Sequence, residues 1–280
     1  MATTQTSDRC THDPPSLSGP NSPPRNSLVN ASDSDITLKS CDDVLFRVHR
    51  INLEMHSQVF ADAGGSTIPK QQEVVPLTER AEVLELMLQY MYLQRQPDLR
   101  NVKFEVLKDL AEAVEKYEIY SAMGVCAQKM KESIADHPLD VLLYSVRHKH
   151  EDIINECAEA SINMSTTDML RSLPSDIFAA WIRYHQDWTD LMNREYTRFG
   201  PTRHHKNVTV HHCEIWAENY ACIAHEIAGR PQNLLKLRSL LQRRQQTLGN
   251  RCEDCKRELG YWYHQANRDR NDLPQFSEYL

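Results

Sequence analysis

Apolar residues recur at two different periods in this chain, and where one gives way to the other constrains its folding most. Period-two alternation is confined to short stretches before residue 78. These are Ile36-Thr37-Leu38, then Val44, Phe46 and Val48, then Glu73-Val74-Val75-Pro76-Leu77. The first two, joined at Cys41-Asp42-Asp43, read as a hairpin. Pro76 assigns the third to a strand end or a sheet edge, because proline cannot donate to a ladder. Between them Leu53, Val59 and Phe60 follow helical spacing in a two-part helix, with Gly64-Gly65 as the expected stop. From Thr78, read as an N-cap, the pattern is helical almost without break. Val83, Leu84, Met87, Leu88 and Met91 form one face, and Phe104, Leu107, Leu110, Ala111, Val114 and Tyr117 form the next. Met123, Cys126, Met130 and Ile134 form a third before His137-Pro138. Clustered strands followed by a run of helices are an α+β order.

Glycine is scarce, with 8 in 280 residues, and neither GxGxxG nor GxxxxGK[ST] occurs, so the standard nucleotide sites have no signature. No apolar run approaches the length of a membrane span. The opening MATTQTSDRC has no charged-then-apolar leader pattern, and the expected location is cytoplasm or nucleus. In that reducing setting Cys10, Cys41, Cys126 and Cys157 are expected as thiols that pack like small apolar residues. Residues 1–32, rich in Pro, Ser and Thr, are expected to be disordered. The net charge of −7 is unevenly placed: residues 33–160 carry 23 acids and 14 bases, residues 161–280 carry 14 and 16.

The run Asp35-Ile-Thr-Leu, Phe46-Arg-Val48-His49-Arg50, Leu53 and Ser57-Gln-Val59-Phe60 resembles the opening of a BTB/POZ domain. Leu84-Glu-Leu-Met-Leu-Gln-Tyr90-Met-Tyr92, followed by Leu107, Ala111 and Glu115-Lys116-Tyr117, resembles its later helices. The resemblance implies a BTB/POZ domain over 33–136, a small sheet with clustered helices, after a tail at 1–32. An all-α extension follows over 137–280; its first helix pair, Pro138 to Ile162, resembles the start of a BACK-like region. The Pro/Ser lead-in and a lone CxxC near the C-terminus are similar to fungal BTB proteins.

The same resemblance implies a protein-binding module that homodimerises and is not an enzyme. It places Asp35, His49 and Arg50 near a dimer interface, as a charged pocket for a partner. The residues themselves also admit a structural reading, in which an acid opening one strand and a base ending its neighbour satisfy nearby polar groups. The Pro/Ser-rich lead-in leaves a dimer to rely on the hairpin and first helix alone. A second implied role is substrate adaptor on a cullin scaffold of a ubiquitin ligase, with Ile68 as loop anchor and Tyr92 and Tyr117 as aromatic contacts. Lys70 stands where that loop pattern has Glu, and Pro69 restricts the backbone. Both tyrosines also read as ordinary packing residues. A third role is a transcription-associated factor using the basic helix Gln232–Leu248, with Lys236, Arg238, Arg243 and Arg244; a solvated face is the plainer reading, and nucleic acid is not an expected partner.

Cys252-Glu-Asp-Cys255 has zinc-knuckle spacing. One CxxC is half a site, and His211-His212-Cys213, about 40 residues earlier, is the candidate second half, with Cys222 or His225 as substitutes. Structural zinc on His212, Cys213, Cys252 and Cys255 is the one cofactor expectation; two cysteines three apart on a helix also pack together without a metal. Trp181, Tyr184 and Trp188, and Trp216 with Tyr220, fall at helical spacing and predict the core of a second helical layer.

Overall fold

A computed structural model describes residues 31–66, 73–198, 200, 213–229, 231–248 and 252–280. The chain divides into two units, residues 1–133 and 134–280. Among the described residues no helix is long and apolar enough to cross a membrane.

The first unit is built on a three-stranded sheet in the order β2-β1-β3. Strand β1 (Ile36–Lys39) pairs antiparallel with β2 (Leu45–Val48), Ile36 facing Val48 and Leu38 facing Phe46. It pairs in parallel with β3 (Glu73–Pro76). Pro76 ends an edge strand, where its missing N–H costs nothing. Alternation does what it predicts: Ile36, Leu38, Phe46 and Val48 are buried while Leu45 and Arg47 face outward. The tight hairpin loop rests on Ser40, whose hydroxyl accepts the Val44 N–H at 2.9 Å, and on Asp43 in the left-handed region at φ 64°.

The helices cover the inner face. Helix α1 (Arg50–His56) breaks at Ser57, which takes an extended conformation and accepts the Phe60 N–H on its hydroxyl. Ser57 thereby caps α2 (Gln58–Ser66). The two-part helix is as expected, but Gly64-Gly65 does not end it. Gly64 lies inside α2, where the nearest atom to a β-carbon would be Glu54 Oε1, the movable end of a flexible side chain, so neither a turn nor a fixed close approach demands glycine here.

Helix α3 (Ala81–Gln89) starts three residues after the expected cap. Its Ala81 N–H is taken by Asp42 Oδ1 at 2.8 Å, 39 residues away in sequence, so a tertiary cap replaces the local one. Helices α4 (Phe104–Lys116) and α5 (Tyr120–Glu132) complete the unit. Leu38, Val48, Leu53, Leu84, Met87, Leu88, Leu110, Val114 and Cys126 are essentially without solvent contact in its core. Cys41 departs from its expected thiol state: it is disulfide-bonded.

The second unit is helical: α6 (Pro138–His148), α7 (Glu151–Ser161), α8 (Thr166–Ser172), α9 (Ser175–Arg198), α10 (Glu214–Ile227), α11 (Leu234–Leu248) and α12 (Glu253–Asn271). Pro138 occupies the first turn of α6, where its fixed φ starts a helix. Tryptophans form the interior as their spacing predicts, and a buried indole favours an acceptor, which three of them find while the Trp188 N–H finds none among the described residues. Trp181 donates to Ser161 Oγ at 2.9 Å, Trp216 to the Gly200 carbonyl at 2.9 Å, and Trp262 to Glu195 Oε2 at 2.8 Å. Glu195 is fully buried, and Arg198 lies 3.2 Å from its other oxygen. Burial holds the Glu195 carboxyl above the ordinary range, against the opposing pull of Trp262 and Arg198.

Candidate functional site

The first group of sequence candidates gathers where the hairpin meets α1. Asp35 opens β1 and accepts the Arg50 N–H on Oδ1 at 2.7 Å, satisfying an orphan donor in the first turn of α1. Its own N–H reaches the Val48 carbonyl at 3.2 Å. His49, one residue beyond β2, is held from two sides. Its backbone N–H donates to the Tyr92 hydroxyl at 3.0 Å, and its Nδ1 lies 3.2 Å from the same oxygen. Its Nε2 lies 3.2 Å from Asp33 Oδ1, and this hydrogen bond is the main reason the exposed Asp33 carboxyl sits below its ordinary range. A neutral imidazole protonated on Nε2 satisfies both ring contacts, accepting from Tyr92 and donating to Asp33. Asp35 and His49 therefore bond to helix backbone, Tyr92 and Asp33 rather than to each other.

The two tyrosines named as aromatic contacts are interior residues. Tyr92 is 9% exposed, with its hydroxyl engaged by His49. Tyr117 is 5% exposed and its ring stacks on Phe60, centroids 5.1 Å apart. Its hydroxyl donates to Glu79 Oε2 at 2.7 Å, while Lys116 Nζ meets Glu79 Oε1 at 2.7 Å. Burial opposes ionisation of Glu79, but hydrogen bonds from Lys116 and Tyr117 outweigh it and hold the carboxyl below its ordinary range. Burial, followed by the adjacent Glu79 charge, drives the Tyr117 phenol well up. Ile68 lies outside the described residues.

Large apolar side chains stand among the outward-facing residues of the hairpin and α1, beside the exposed Asp42, Asp43 and Arg47. Leu45 is 52% exposed on β2; Ile51 and Met55, one turn apart on α1, are 59% and 70% exposed. Sequence reading used Leu53 and passed over its neighbours. Two residues along a helix is about 200° around it, so Ile51 and Met55 lie opposite Leu53. The missed signal was an apolar residue on both sides of a seven-residue helix.

A second group lies in the helical unit. Cys213 is the N-cap of α10, Cys252 is the N-cap of α12, and Cys255 sits in the first turn of α12. Their three sulfurs lie within 4.8 Å of one another, and Cys213 Sγ is 3.5 Å from Cys255 Sγ. Burial pushes the Cys255 thiol up, and hydrogen bonds to Cys252 and Cys213 push it further. Of the four expected ligands three come together; His212 lies outside the described residues. Cys222 and His225, the proposed substitutes, do not join the group.

Residues 26–134 match the family model of the BTB/POZ domain. The chain carries a BTB/POZ domain. The match spans the hairpin, α1 to α5 and β3, and it makes this segment a protein–protein interaction module. No curated protein matches the chain.

Proposed function

We propose that the BTB/POZ domain joins two copies of this chain through the outer face of α1 and the hairpin, leaving the helical unit to bind another protein. The observation that supports this is the double-sided α1. Leu53 anchors the helix inward, so Ile51 and Met55 contribute nothing to the core beneath them, yet both are large and apolar. A short helix that is apolar on two sides has a second surface to cover. Leu45, on an edge strand, is exposed as well. A two-fold axis uses each such side chain twice, so a small patch is doubled by symmetry.

Covering one such side chain contributes roughly 1–2 kcal/mol. Removing Ile51 and Met55 from both copies therefore takes away on the order of 4 kcal/mol or more, about a thousandfold in dissociation constant. Sedimentation of the full chain should show a dimer at micromolar concentration and a monomer for Ile51→Glu/Met55→Glu. A monomeric wild type, or a variant that stays dimeric, overturns the proposal.

The adaptor reading finds less support. Tyr117 spends its hydroxyl on Glu79 and Tyr92 spends its own on His49, so neither ring is offered to a cullin. In the basic helix α11, Arg238 lies over the Tyr263 ring at 5.6 Å, an intramolecular use of its charge. The structural reading of His49 is supported as well, since both ring nitrogens are held in contacts within the domain.

A further inference from the structure

We infer that Cys213, Cys252 and Cys255 hold a structural zinc ion that ties the start of α10 to the start of α12. The inference rests on the helical unit alone and is independent of dimerisation by the BTB/POZ domain.

Geometry supports it first. Zinc–thiolate bonds of about 2.3 Å at tetrahedral angles place sulfurs about 3.8 Å apart. The observed sulfurs, one pair at 3.5 Å and all within 4.8 Å, bracket that spacing, so small side-chain rotations suffice to seat the ion. A disulfide answers the arrangement less well. It needs one pair of sulfurs closed to about 2.0 Å and leaves the third cysteine without a role. Three sulfur donors form a soft set, which suits zinc rather than magnesium or calcium.

Charge supports it next. Zinc binds thiolates, and its charge would offset the repulsion among three of them held this close. Each cysteine stands at a helix N-terminus, Cys213 on α10 and Cys252 with Cys255 on α12, where the helix dipole favours negative charge. The first-turn acids of α12 do not compete for the site as isolated charges: Asp254 pairs with Arg257, and Glu253 lies 3.9 Å from Lys256.

The position explains what the ion does. Residues 201–212 and 249–251 flank the two helix starts in sequence. A metal there fixes those helix starts by bonds that do not depend on apolar packing, and its binding free energy becomes folding free energy for the unit. The three cysteines fill three of four positions, which makes the fourth a water or another donor of the chain.

The test uses the full chain, purified under reducing conditions and dialysed against trace zinc. Elemental analysis should give about one zinc per chain. Cobalt(II) exchange should give a sulfur-to-cobalt charge-transfer band together with intense visible bands of a tetrahedral site. Cys252→Ser and Cys255→Ser should each lose the metal, while Cys222→Ser keeps it. Should a serine variant misfold, the wild type still decides: chelation should lower the unfolding midpoint, and added zinc should restore it. Absence of stoichiometric zinc, absence of the charge-transfer band, full metal retention in Cys252→Ser or Cys255→Ser, or a Cys213–Cys255 disulfide that persists after purification under reducing conditions each overturns the inference.

Discussion

Tyr117→Phe isolates a single interaction. Phenylalanine keeps the ring that stacks on Phe60 and removes only the hydroxyl that donates to Glu79 at 2.7 Å. A hydrogen bond to a charged acceptor contributes about 1.5–3 kcal/mol. Here Glu79 keeps Lys116 and Thr78 as partners, and Lys116 is half exposed, so solvent screens part of the effect. The expected loss is about 1–2 kcal/mol, which corresponds to roughly five- to thirtyfold faster amide exchange in α3 and α4. Glu79→Ala should cost more, because it strands the buried Tyr117 hydroxyl and takes the carboxylate from Lys116 and Thr78, which keep their bond to each other at 2.7 Å.

The pH dependence has a fixed sign. The folded protein holds the Glu79 carboxyl below its unfolded value, so its contribution is fully present above about pH 4.3 and fades as pH falls through the lowered value. The gap between wild type and Glu79→Gln should therefore close in acid. Native-state hydrogen exchange on the full chain reads both effects region by region, which matters because a two-unit chain need not unfold in one step. Exchange in α3 and α4 changing less than twofold in Tyr117→Phe, or a gap to Glu79→Gln that widens below pH 4, would refute the reasoning.

Two further substitutions test the caps and the interior. Asp42→Ala removes the acceptor of the Ala81 N–H and should cost about 1 kcal/mol, concentrated in the exchange rates of the first turn of α3; uniform protection there would show the cap to be idle. Trp262→Phe deprives buried Glu195 of a donor and should lower the urea midpoint by about 1–3 kcal/mol of stability, followed through the remaining tryptophans; an unchanged midpoint would mean Arg198 alone satisfies the carboxylate.

Periodicity made the strands and helices legible because it reports which side of an element is buried, and burial here follows the pattern in Ile36, Leu38, Phe46 and Val48 and again in Trp181, Tyr184 and Trp188. The ends of elements were less legible, since their partners lie far away in sequence. Thr78 has the right chemistry to cap α3, yet the acceptor comes from Asp42; Gly64 has the right chemistry to end α2, yet the helix continues to Ser66. The cysteine spacing marked half a site, and only the fold could bring Cys213 to Cys255 across 42 residues.

The same distinction explains why the polar candidates and the exposed surface changed places. A sheet of three four-residue strands offers few ladder hydrogen bonds, so side chains must secure the helix ends to it. Asp35 takes the first turn of α1, Asp42 that of α3, Tyr92 the backbone of His49, and Ser57 donates to the Tyr117 carbonyl. A polar atom used in this way is unavailable to a partner without a cost in stability. Conspicuous acids, bases and tyrosines are therefore weak guides to the binding surface of so small a sheet. The better guide is the opposite anomaly, an apolar side chain that the core beneath it does not use. Ile51 and Met55 meet that criterion on α1, and for that reason the dimer proposal rests on them rather than on Asp35 and His49.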